Sequence, residues 1–149
     1  MNPETSTRRR LVLALALLAA GASAPAPRLS VRGAWTRPAG VGMNGAGYLT
    51  IVNQGRSADR LIGAASPVAK TVSIHQSRQV GAMMTMRPMA SIDVAAGARV
   101  SLAPGGLHLM LEGLRRPLRA GQCVPVTLIF ARGGRVRAAL VVRGAAPAR

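Results

Sequence analysis

Both histidines of the sequence, His75 and His108, lie in one stretch with five of its seven methionines, Met83, Met84, Met86, Met89 and Met110. The stretch reads His75, ten residues, Met86, twenty-one residues, His108, one residue, Met110. Imidazole and thioether are neutral donors of soft to borderline character, the set that suits copper and above all Cu(I). Hard cations need carboxylates, and Asp93 is the only acid between His75 and Met110. Calcium and magnesium are therefore poor candidates.

The elements that must carry these donors follow from alternation. In Leu107-His108-Leu109-Met110-Leu111 the leucines alternate with donors, and successive side chains of a strand point to opposite faces. With the leucines inward, His108 and Met110 share the other face, roughly 6.8 Å of strand apart. In Thr71-Val72-Ser73-Ile74-His75 the same parity turns Val72 and Ile74 inward and His75 outward. In Met84-Thr85-Met86 the two methionines share a face. Three strands then offer soft donors at the rim of an apolar core. A methionine near a strand is ordinarily core filler, and a lone histidine is ordinarily a satisfied polar residue. What favours a metal site is that both histidines and at least two methionines leave the leucine face together.

The spacing His-x10-Met-x21-His-x-Met resembles the motif of the PCu(A)C periplasmic copper chaperones at every position. So do Ala34-Trp35-Thr36-Arg37-Pro38, Gly47-Tyr48-Leu49-Thr50, Ser66-Pro67-Val68-Ala69, Met86-Arg87-Pro88, Pro104-Gly105-Gly106-Leu107-His108-Leu109-Met110 and Arg116-Pro117-Leu118. The resemblance covers about residues 31 to 143. It implies a cupredoxin-like β-sandwich binding Cu(I) through His75, Met86, His108 and Met110, and copper delivery towards the CuA centre of cytochrome c oxidase. Many members of that family carry Glu after the first histidine, where this sequence has Gln76. Some carry a His- and Met-rich tail that takes Cu(II). The tail here, Arg143 to Arg149, has neither residue.

The whole chain, 149 residues, fits one domain. Residues 1–22 read as a secretory signal: Arg8-Arg9-Arg10, a ten-residue apolar run from Leu11 to Ala20, and a small-x-small cleavage pattern at Ala20-Gly21-Ala22. That run is too short to span a bilayer, so no stable membrane span is expected and the mature protein is expected in the periplasm. Residues 23–30 read as a linker, 31–143 as the copper-binding domain and 144–149 as a disordered tail. Short alternating runs between Gly, Pro, Asn and Asp place strands near 31–36, 46–53, 59–64, 70–76, 82–87, 98–102, 107–112, 124–131 and 135–143. No helix is expected there. The fold class is all-β, a cupredoxin-like Greek-key sandwich or barrel. With three aromatic residues, Trp35, Tyr48 and Phe130, the core must rest on Leu, Val, Ile, Ala and Met. Cys123, the one cysteine, reads as a small buried hydrophobe.

The formal charge is +16, and loss of the signal with Arg8, Arg9, Arg10 and Glu4 leaves +14. The arginines are scattered, without a basic helix or an aromatic stacking platform, so nucleic acid is not the expected partner. They could instead steer docking onto an acidic copper acceptor. Binding and hand-over are expected rather than catalysis, as no Gly-x-Ser-x-Gly or other nucleophile motif is present. A blue-copper electron carrier would need its cysteine ahead of a later histidine; Cys123 follows both. A metal-free structural or adhesion domain and a general copper storage or resistance protein remain the alternatives.

Overall fold

In the computed structural model, residues 26–144 are described. They form ten strands: β1 (Leu29–Thr36), β2 (Gly45–Asn53), β3 (Asp59–Ala65), β4 (Ala69–Val80), β5 (Met83–Pro88), β6 (Ile92–Val94), β7 (Arg99–Leu102), β8 (Leu107–Leu114), β9 (Cys123–Phe130) and β10 (Gly134–Val142). The secretory segment expected over 1–22, and all but the first residue of the tail expected over 144–149, lie outside the described residues.

The strand order is β5-β4-β8-β2-β1-β10-β9-β3-β6, with β7 on the edge of β2. A further pairing of β3 with β4, at Ala64 and Val72, closes the circuit. The result is a seven-strand barrel with β5, β6 and β7 added outside the ring. Only β1 and β10 run parallel; the other pairs are antiparallel. Closure hides the unpaired edges that an open sheet would present.

Alternation fixes which face goes in. On β9, Val124, Val126, Leu128 and Phe130 are buried, while Cys123 and Pro125 between them are exposed. Cys123 is thus a surface thiol and not the buried hydrophobe expected from its type. The parity of its strand outweighs the preference of cysteine for the interior. The closed core holds Leu49, Ile51, Leu61, Leu109, Leu111, Leu128 and Leu140 with their neighbours. It contains no methionine; Met89 alone packs against it part-buried. The expectation that Met would fill the core is corrected on this point. Aliphatic side chains on alternating strands suffice, each contributing about 1.5–3 kcal/mol on burial.

Strands β1, β4 and β6 differ from the sequence reading, β4 running on to Val80 past the expected end at residue 76. Strand β1 starts at Leu29, inside the expected linker, because Leu29 and Ser30 pair with Asn53 and Val52. Strand β6 was not expected; with three residues, only Ile92 and Val94 show its buried face, too short a pattern to count. Asn53 and Asp59, both buried, organise the loops at this end. The Asn53 side chain donates to the Ser57 carbonyl at 2.8 Å and accepts from the Gly55 N–H at 3.0 Å. Asp59 accepts from the backbone N–H groups of Arg60, Arg132 and Gly133.

Strand β4 links the barrel to the donor-bearing hairpin. It has twelve residues. Its first half shares one edge with β3 at Val72, and from His75 to Val80 the same edge is taken by β5. The β4–β5 hairpin therefore runs on past the ring. Its two-residue loop is Gly81-Ala82, with Gly81 at φ 62°. A glycine at the first central position is what a type II′ hairpin turn requires.

Candidate metal centre

The sheet register puts the donors in relation. On adjacent strands β4 and β8, His75 stands directly opposite His108 and Ser73 opposite Met110. On β4 and β5, Ser77 stands opposite Met86 and Gln79 opposite Met84. Opposed residues of an antiparallel pair project to the same face, and the diagonal neighbours lie about 7–8 Å away. His75 thus sits at the middle of three strands, with His108 beside it, Met110 on one diagonal and Met86 on the other. The parity read from the sequence holds for all four residues. Leu109 and Leu111 are fully buried on the inner face, so His108 and Met110 are turned to the outer one.

The two imidazoles are close and incompletely bonded. Their ring centroids are 5.9 Å apart with planes at 37°. His108 is buried, and its Nδ1 lies 3.1 Å from the Gly106 carbonyl oxygen. A carbonyl only accepts, so Nδ1 carries a proton, and a neutral ring then presents its lone pair at Nε2. Nε2 of His108 and Nδ1 of His75 are both buried without a hydrogen-bond partner. Leaving a buried polar atom unpaired costs about 1–3 kcal/mol. A metal ion held between the rings would remove that cost and is the ligand these atoms fit. The Gly106 contact then acts as the outer partner that fixes the ring of a ligating histidine.

The sulfurs differ in setting. Met110 is half-buried, whereas Met86 is 56% exposed. No group of three or more His, Cys, Asp or Glu side chains gathers anywhere among the described residues. The soft donors on the same face of the His75–His108 pair are the thioethers of Met110 and Met86, a set that suits a soft monovalent ion. Cys123 does not contribute: β9 is separated from β8 by β4 and β3 one way round the ring and by β2, β1 and β10 the other. Nor does a cleft of about 400 Å³ between Asp59, Arg60, Asp93 and Arg132. Its Asp59 is already committed to three backbone N–H groups.

Sequence reasoning passed over the wall of the site. Tyr48 lies against His108 at 6.4 Å between centroids, and Trp35 against Tyr48 at 4.7 Å. The Arg37 guanidinium covers both, 5.7 Å from the Trp35 ring and 6.0 Å from that of Tyr48. Trp35 and Tyr48 are buried yet lie outside the main core cluster. They form a second apolar layer on the outer face, and it shields His108 from water. The signal for this was the alternation of β2, whose Gly47 pairs with Leu109; Tyr48 must then face the same way as His108. Below Met110, Glu112 accepts from Ser73 at 3.0 Å and Thr71 at 3.3 Å, which ties β4 to β8 beside the donors.

Comparison with known proteins gives the fold a family. The copper-bound PCuAC domain of PmoF2 is 25% identical, with a TM-score of 0.66 over 80% of this chain and 96% of that one. The Cu(I) form of DR1885 from Deinococcus radiodurans is 30% identical, with a TM-score of 0.56 over 84% of this chain and 83% of that one. The apo PCuAC domain of PmoF1, 24% identical with a TM-score of 0.68 over 80% of this chain and 97% of that one, shares the fold. A "Putative lipoprotein Lxx21020" of Leifsonia xyli subsp. xyli (strain CTCB07) is 36% identical over 116 residues, 77% of this chain and 69% of that protein. The family model described as "Putative lipoprotein LpqE-like" matches residues 29–142, and the chain belongs to this LpqE-like family, with the cupredoxin-like architecture of PCuAC domains.

Proposed function

We propose that this protein is an extracytoplasmic copper chaperone. It binds one Cu(I) through His75, Met86, His108 and Met110 and passes it to a copper acceptor, with the CuA centre of cytochrome c oxidase as the acceptor the motif points to. The observation that carries the reading is the pair of unbonded, buried imidazole nitrogens on facing rings. Two structural neighbours at 25% and 30% identity are described as copper-bound and Cu(I)-bound. The signal pattern over 1–22 and the lipoprotein description of the relatives support a location outside the cytoplasm. No helix among the described residues is long and apolar enough to cross a membrane.

The role is binding and hand-over, not catalysis. Four neutral donors leave the ion its single positive charge. His75 and His108 hold it against the Tyr48 wall, and the thioethers complete its shell from the open side. An acceptor's own ligands can replace the exposed donors one at a time, so the ion never becomes free in water. The test is an anaerobic Cu(I) titration in competition with bicinchoninate. The wild type is compared with His75→Ala, Met86→Ala, His108→Ala, Met110→Ala and Met84→Ala. One equivalent bound by the wild type and weakened in the first four variants supports the reading. A wild type that leaves all copper on bicinchoninate would leave a metal-free structural domain.

A further inference from the structure

Strand β5 has no structural work to do that explains its sequence. All six of its residues are exposed, none enters the core, and three of them are methionine. Met83, Met84 and Met86 are 70%, 55% and 56% exposed, and Val80 across the turn is 57% exposed. Large apolar side chains on an edge strand invite unwanted association, and edge strands are usually blunted with charge. Here Arg87 and Pro88 stand at the inner end of β5 only, and thioethers occupy its outer end, on a hairpin that runs past the barrel.

Their positions are ordered relative to the copper pair. Met86 is diagonal to His75, and Met84 lies on the same face two residues further out. That is roughly 6.8 Å of strand, the same interval that separates His108 and Met110 on β8. Met84 is opposite Gln79 and Met86 opposite Ser77. Neither partner is an anionic donor that would hold the ion firmly. Two thioethers at this spacing can hold one soft ion between them on flexible side chains, with no proton to displace.

We infer that Met84 and Met86 form a second, outer Cu(I) station on the β4–β5 hairpin, through which the ion enters and leaves the His75–His108 centre. The inference rests on the proposed copper-binding function. Transfer is an exchange of donors at a fixed oxidation state. A Met86–Cu bond is kept while bonds to His75, His108 and Met110 break and one to Met84 forms, and the two imidazole lone pairs return to their unbonded state. Such a station lowers the barrier in both directions and leaves the equilibrium affinity of the inner centre nearly unchanged. Met84 is therefore a positioning donor on the path, while Met86 belongs to both sites.

The experiment uses the full chain loaded anaerobically with one equivalent of Cu(I). Affinity is measured by equilibrium competition with bicinchoninate, and the rate of copper loss to excess bicinchoninate by stopped flow. Met84→Leu removes the donor while keeping an apolar side chain of similar size; Met83→Leu is the control on the same strand. The expected result for Met84→Leu is affinity within about threefold of the wild type and copper loss slowed about tenfold, a barrier effect. Met83→Leu should match the wild type in both. The inference is overturned if Met84→Leu releases copper at the wild-type rate, if its affinity falls as far as that of Met86→Leu, or if Met83→Leu slows release equally. A wild type that takes up no Cu(I) defeats the chaperone reading itself, and the station with it. A wild type that binds but is indifferent to Met84 defeats only the station.

Discussion

Strands β8 and β5 each bring thioether sulfur to the same outer face, and they are held there in opposite ways. On β8 the residues that alternate with the donors, Leu109 and Leu111, are fully buried, and His108 is itself buried beside Tyr48. On β5 every residue is exposed, and the strand is attached along one edge only, to β4. Donors on β8 are set by the core before any metal arrives. Donors on β5 owe nothing to the core. Preorganised donors confer affinity, because their ordering cost is met on folding. Exposed donors confer exchange, because nothing but solvent has to leave before a partner can reach them. A copper carrier of the kind proposed needs both, and the proposed site would draw them from different strands.

Changes on the two strands should separate these roles. The largest effect is expected from Leu109→Ala, which opens a cavity under the β8 donors. It should lose about 2–5 kcal/mol of folding free energy in urea melts. Met86→Ala on β5 should change the same melts by less than about 0.5 kcal/mol. If both cost the same, β5 is part of the core after all.

Next comes His108→Ala, for which Cu(I) affinity should fall by about a hundredfold or more, roughly 2.7 kcal/mol. Met86→Ala, on the exposed strand, should fall only about tenfold. An order reversed between these two would mean that the hairpin, not the barrel, holds the ion.

Acid should act on the histidine side alone. Imidazole must be unprotonated to bind metal. Lowering the pH therefore weakens binding. Each such ligand adds its own competition between proton and metal, so two give a steeper profile than one. His75→Ala should thus halve the slope of log affinity against pH, while Met86→Ala leaves it unchanged. A flat profile in the wild type would argue against histidine ligation.

The smallest effect concerns partner approach. With a formal net charge of +16 on the chain, transfer to an acidic acceptor domain should slow severalfold between low salt and about 0.15 M, as the Debye length shrinks to about 8 Å. Copper loss to bicinchoninate, which needs no docking, should respond less. Equal salt dependence for both would remove the steering role.

Much of this was legible in the chain because barrels alternate. The parity of Leu107 to Leu111 and of Val72 to His75 was enough to turn His75, His108 and Met110 off the core, and the Gly- and Pro-rich turns located nine of the ten strands. Alternation also explains the reversal at Cys123: the residue type pointed inward, but the parity set by Val124 and Val126 pointed outward. Strand β6 escaped because three residues carry too little pattern.

The sequence by itself determined the chemistry of the donors, their faces and the near absence of competing carboxylates, since these depend on residue type and on a period of two. Tertiary structure alone decided that His75 meets His108 across β4 and β8, that Trp35, Tyr48 and Arg37 wall the pair, and that β5 carries its methionines beyond the ring. Those facts depend on register between strands distant in the chain. Register is fixed by the closure of the barrel and the packing of its leucines, not by any local run of residues.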